Sequence, residues 1–87
     1  MEQNYQKSRA PAAERFKVGQ LIKLACRTSL IYAVTDRDGL IDGIDLVECQ
    51  IDPGQIGMIV KHLKIDNWLV LFGESLVNMS PQYMAGV

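Results

Sequence analysis

The sequence predicts an all-β fold, a small barrel or sandwich with an extended hairpin and a polar N-terminal arm. Three observations carry this. Short runs rich in β-branched and aromatic residues recur from Phe16 onward. Tight-turn signals separate them, and no long 3.6-residue apolar period is present. The chain has 87 residues, the length of a single domain with a modest core.

Residues 1–14 read as a flexible arm, and residues 15–87 as one small β-barrel domain. The arm is polar and lacks an apolar face of its own, although Pro11 and the neighbouring alanines suit a helical turn. The first strand falls within residues 16–26 and the second at 29–35. The segment Asp36-Arg37-Asp38-Gly39 suits a type I turn, with Asp first and Gly fourth. A third strand is expected at 44–51. A three-residue loop sets Asp36 opposite Leu40, Leu30 opposite Leu46 and Tyr32 opposite Ile44. A two-residue loop shifts the pairing by one and sets Cys26 opposite Cys49; the first register is preferred.

Asp52-Pro53-Gly54-Gln55 is a strong turn, with Pro presetting one central dihedral and Gly taking a positive φ at the next. A strand follows at 57–64. Residues 68–72, Trp-Leu-Val-Leu-Phe, are the most apolar run and the expected central strand. Gly73-Glu74 turns into a short strand at 75–79. Ser80-Pro81 then opens one helical turn. Nothing repeats at a solenoid period.

Composition excludes several classes. Hydrophobic residues make up 48% and charged residues 22%, ordinary for a globular protein. The net charge of −1 gives no overall attraction to nucleic acid or anionic lipid. Charge is unevenly placed, however. Lys7, Arg9, Arg15 and Lys17 make the beginning weakly basic, whereas Asp36, Asp38, Asp42, Asp45, Glu48 and Asp52 face Arg37 alone in the middle. No signal-peptide core or membrane-length apolar run occurs, so a cytoplasmic location or a place in a virion is expected. Cys26 and Cys49 form no CxxC pair and read as reduced packing residues.

Three segments resemble Src-homology-3-like barrels. Residues 16–24, FKVGQLIKL, resemble the family's opening strand, and residues 53–60, PGQIGMIV, its second. Residues 68–84, WLVLFGESLVNMSPQYM, resemble the block of third strand, distal turn, fourth strand and closing helical turn. The chain is similar to small barrel proteins of tailed bacteriophages, including those infecting cyanobacteria. The stretch between Cys26 and Ile51 is long for the family's first loop. A closing strand after Tyr83-Met84 is nearly absent. Classical members bind proline-rich peptides through an acidic loop and an aromatic groove. The acidic loop is present here, but the groove motif is missing, with only Tyr32, Trp68 and Tyr83 as aromatic candidates. Related barrels bind RNA through a basic loop, where this chain carries Asp52.

No catalytic, cofactor or metal site is expected. His62 reads as a structural or surface residue, because no nucleophile and base can be named with it. Counted from Asp36, the calcium-loop positions that need a ligand, Gly and Glu hold Leu40, Ile41 and Val47. No GxxxxGK[ST] loop is present. The expected function is a non-catalytic protein-interaction or assembly module, with Asp36, Arg37, Asp38, Asp42 and Asp45 as partner-binding residues. A protein partner or self-association fits an exposed hairpin with open edges. The alternative is a small nucleic-acid-binding barrel, acting in transcription or translation through Arg9, Arg15, Lys61 and Lys64. Lys61, His62 and Lys64 near Trp68 equally suit a solvated face over a core tryptophan, and strand alternation points Lys61 away from the other two. Removing residues 1–14 should leave the thermal unfolding transition in place while weakening assembly in sedimentation.

Overall fold

The computed structural model describes residues 16–41, 43–44, 46–64 and 66–87. Seven strands and one 3₁₀ turn follow one another: β1 (Leu21–Leu24), β2 (Leu30–Ala33), β3 (Glu48–Ile51), β4 (Ile56–Lys64), β5 (Asn67–Phe72), β6 (Ser75–Met79), the turn Pro81–Tyr83 and β7 (Met84–Gly86). The chain is all-β, as its patterning predicts. Five strands form an antiparallel sheet in the order β6-β5-β4-β1-β7, and β2 pairs with β3 as a separate hairpin.

The core lies between the two. Ile22 and Leu24 alternate inward from β1, and Trp68, Val70 and Phe72 from β5. Ile59, Val77, Met79 and Met84 come from the neighbouring strands. The hairpin adds Ile51, with Leu30, Tyr32 and Cys49 packed against the cluster, while Ile31 and Gln50 point outward. This is the period-two alternation of a strand with one buried face.

Two turns form as their residues predict. At 52–55, Gln55 N–H donates to Asp52 O at 3.0 Å, and Gly54 has φ +81°. At the hairpin tip, Gly39 N–H donates to Asp36 O at 3.0 Å and Asp36 N–H to Leu40 O at 2.8 Å, with Gly39 also at φ +81°. A side chain at Gly39 would also collide with Leu63, 2.6 Å from an ideal Cβ. Gly57 is needed for space. An added Cβ would sit 2.8 Å from the Phe72 ring and 2.9 Å from the Leu71 carbonyl.

Three expectations need correction. The β2–β3 register is Leu30 opposite Ile51, Tyr32 opposite Cys49 and Ala33 opposite Glu48, extended by Val34 N–H to Val47 O at 2.7 Å. Both anticipated registers are therefore wrong, although the tip pairs Asp36 with Leu40 as expected. The returning chain makes an excursion between Leu40 and Val47 before it pairs. The central strand is β4, and β5 lies one place nearer the edge. A closing strand does exist: β7 pairs with β1, setting Leu24 opposite Met84 and Ile22 opposite Gly86.

Ile59→Ala should cost about 2–5 kcal/mol, because Ile59 is fully buried at the middle of the sheet. Gly57→Ala should cost about 1–3 kcal/mol through overpacking. Urea unfolding of both variants checks these values.

Candidate functional site

The hairpin tip is held from three directions. The Asp36 carboxylate accepts from Asp38 N–H at 2.8 Å and Leu40 N–H at 2.9 Å. These donors, Leu40 foremost and then Asp38, hold the exposed Asp36 carboxyl below the usual carboxylate range. Thr35 N–H donates to Leu76 O at 2.8 Å, and the Thr35 hydroxyl donates to Asp36 O at 2.9 Å. The first of these bonds covers part of the open edge of β6. Lys61 Nζ approaches Asp38 Oδ1 at 3.4 Å, an exposed pair worth at most about 1 kcal/mol.

The base of the hairpin is tied at Asp52. Its carboxylate accepts from the Ser29 hydroxyl at 2.6 Å and the Gln50 amide at 2.7 Å. Ser29 first and Gln50 second lower its pKa. Tyr32 faces the core from β2 of the hairpin, and its phenol is pushed up to about 12, chiefly by burial and then by Tyr83 and Cys26. Cys26 and Cys49 are both free thiols at the border of the core.

Between these fixed points the chain presents large aliphatic side chains to solvent. Leu40, Ile41, Ile44, Leu46 and Val47 are all exposed, Ile44 at 89% and Leu40 at 65%. Asp36, Arg37 and Asp38 occupy the tip beside them. Asp42 and Asp45 lie outside the described residues. The structure thus brings three of the five proposed partner-binding residues together. The neighbouring apolar side chains were not singled out from the sequence, where Ile44 and Leu46 fit equally well as strand residues. The tip also lines a cleft, with Asp38, Gly39 and Leu40 facing Leu63, Lys64, Asn67 and Asn78.

The proposed nucleic-acid residues divide differently. Arg9 and Arg15 lie outside the described residues. Register shifts occur between Ile59 and Lys61 and between His62 and Lys64. Lys61 is therefore opposite Leu69 and Lys64 opposite Asn67, both on one face of β5, with His62 opposite Trp68 on the other. Lys61 points away from His62 as expected, but Lys64 shares the face of Lys61. Trp68 is buried, with His62 stacked on it at 4.3 Å between ring centroids and Phe16 meeting it edge-on at 6.3 Å. A nucleic-acid base therefore has no open Trp68 ring to stack on. The Trp68 indole N–H has no acceptor among the described residues.

No group of three or more His, Cys, Asp or Glu side chains able to hold a metal is found among the described residues. No helix among them is long and apolar enough to cross a membrane.

The lowered Asp36 pKa gives the tip a pH dependence. The carboxylate's contribution is complete above its unfolded value, about pH 4, and is lost as pH falls through the lower folded value. Asp36→Ala should lower the protection factors of the Asp38 and Leu40 amides and abolish the acid dependence of that protection. Hydrogen-exchange NMR from pH 2.5 to 6 checks this, because Asp36→Asn, which keeps one acceptor oxygen, should fall between the two.

Comparisons with protein-family models, with curated proteins and with solved structures find no match.

Proposed function

We propose that the chain is a non-catalytic protein-interaction module that engages its partner through the loop between Leu40 and Val47. The observation that carries this reading is the exposure of five large aliphatic side chains on a tip anchored by backbone and carboxylate hydrogen bonds. Isolated exposed apolar residues are ordinary, but five of them between residues 40 and 47, beside an anchored turn, suit a contact surface. The anchored turn limits the ordering cost of binding. Asp36, Arg37 and Asp38 supply a polar rim around the apolar centre. The same proposal places the chain with the small Src-homology-3-like barrels of tailed phages, on the three sequence segments that resemble them. A β2–β3 hairpin inserted between β1 and β4 supports that likeness, as does a 3₁₀ turn leading into the closing strand.

The second reading, nucleic-acid binding, draws on the β4 bulges that set Lys61 and Lys64 on one side. Lys61 already has a carboxylate neighbour in Asp38, which weakens it as a phosphate ligand.

The two readings separate in a pull-down from host lysate with and without nuclease, using the wild type and a double variant, Ile41→Ser with Leu46→Ser. Retention of specific proteins after nuclease, with at least tenfold less retained by the double variant, is the expected result. Capture that disappears with nuclease, ignores the double variant and falls steeply with salt would overturn the protein-interaction reading in favour of the nucleic-acid one.

A further inference from the structure

The hairpin tip and the sheet enclose a cleft of about 190 Å³. Asp38, Gly39 and Leu40 form one wall, and Leu63, Lys64, Asn67 and Asn78 form the other. Lys64 of β4 is opposite Asn67 of β5, and Asn78 of β6 is opposite Leu69, two residues further along β5. Asn67 and Asn78 are therefore diagonal neighbours on one face of the sheet. Both are half-buried, and among the described residues neither carboxamide has a hydrogen-bond partner. Lys64 has no ion pair there either, whereas Lys61 is held by Asp38. One ammonium and two carboxamides thus keep their donors available at the cleft. Both walls are fixed before any ligand arrives. The strand ladder holds one, and the Asp36 carboxylate bonds and the Thr35 N–H to Leu76 O bond hold the other.

We propose that this cleft binds a small aliphatic carboxylate. Lys64 supplies the charge-assisted hydrogen bond, the Asn67 and Asn78 carboxamides donate to the carboxylate oxygens, and Leu40 and Leu63 pack on the aliphatic end. The lining selects against other chemistries. No aromatic ring lines the cleft, so a sugar face or a nucleobase has nothing to stack on. A phosphate dianion would meet one free cation and the Asp38 carboxylate on the facing wall. A cation would meet Lys64, with Asp38 already taken by Lys61. Water takes roughly 30 Å³ per molecule in the liquid, so a cleft of about 190 Å³ suits a ligand of about seven non-hydrogen atoms. The same chemistry is offered by a free short-chain acid and by the C-terminal residue of a polypeptide.

The cleft shares only Leu40 with the aliphatic loop, so it stands or falls independently of the proposed partner contact. The test is an NMR titration of the full chain with 3-methylbutanoate and with its neutral isostere 3-methylbutanamide, the amide spectrum of each variant verifying its fold. The carboxylate should give saturable shifts at Gly39, Lys64, Asn67 and Asn78, the two carboxamide side chains included, with a Kd on the order of 1 mM. The isostere should bind at least about tenfold more weakly. Lys64→Gln should weaken the carboxylate about tenfold, and Lys64→Arg should stay within about threefold of the wild type. Ile41→Ser with Leu46→Ser should bind it as the wild type does. A peptide ending in leucine, compared with its C-terminally amidated form, separates the two sources. Binding at least about tenfold tighter than 3-methylbutanoate, and lost on amidation, assigns the cleft to a chain terminus. A peptide that does not bind, beside an acid that does, assigns it to a free small acid. The absence of saturable shifts up to about 50 mM with either acid or peptide would overturn the proposal. Equal binding of the amide isostere would overturn it too, as would inorganic phosphate binding as tightly or a Lys64→Gln variant indistinguishable from the wild type.

Discussion

Backbone pairing along β4 is the constraint on which the rest of the molecule depends. β4 is nine residues long, and every other strand of the sheet is shorter. Its beginning, Ile56 to Met58, pairs with β1 and Met58 to Lys64 with β5, so it joins the two halves of the sheet. Ile59, fully buried, lies at the junction, with its N–H donating to Gln20 O and its carbonyl accepting from Gly19 N–H. The two irregularities beyond it bend the strand and redistribute its side chains between the faces. His62 is turned onto Trp68, whereas Lys61 reaches Asp38 on the hairpin. The position of the tip is thus partly a result of where β4 bends.

Much of the fold is legible in the residues because turn chemistry is local. Asp36 through Leu40 form the predicted turn, since Asp supplies a side-chain acceptor and Gly a positive φ within five residues. The same holds at Pro53-Gly54. The β2–β3 register is not local. It depends on how much chain is left out between Leu40 and Val47, and Ile44 and Leu46 look like strand residues in isolation. Tertiary packing of Tyr32 and Cys49 against the core decides the pairing instead.

The misplaced central strand has a different cause. Leu69 is fully buried on the face of β5 opposite Trp68, Val70 and Phe72. An unbroken apolar run therefore records burial on both faces and not position in the strand order. β7 is hard to read because three residues, Met, Ala and Gly, carry little strand preference; its pairing with β1 supplies the order. At the candidate site, the acidic residues of the tip stood out in the sequence, but the apolar loop beside them did not.

The stacking of His62 and Phe16 around Trp68 has an optical consequence. Trp68 is the chain's single tryptophan, so its emission reports one environment without interference from another indole. Its ring meets the segment entering β1 through Phe16 and the bent half of β4 through His62, and its backbone is opposite Met79 on β6. Contact with the His62 ring quenches the indole, which gives the intensity a handle on the β4 contact separate from the spectral position set by burial. One chromophore native to the sequence can therefore follow core formation and the bend of β4 as two signals from the same sample.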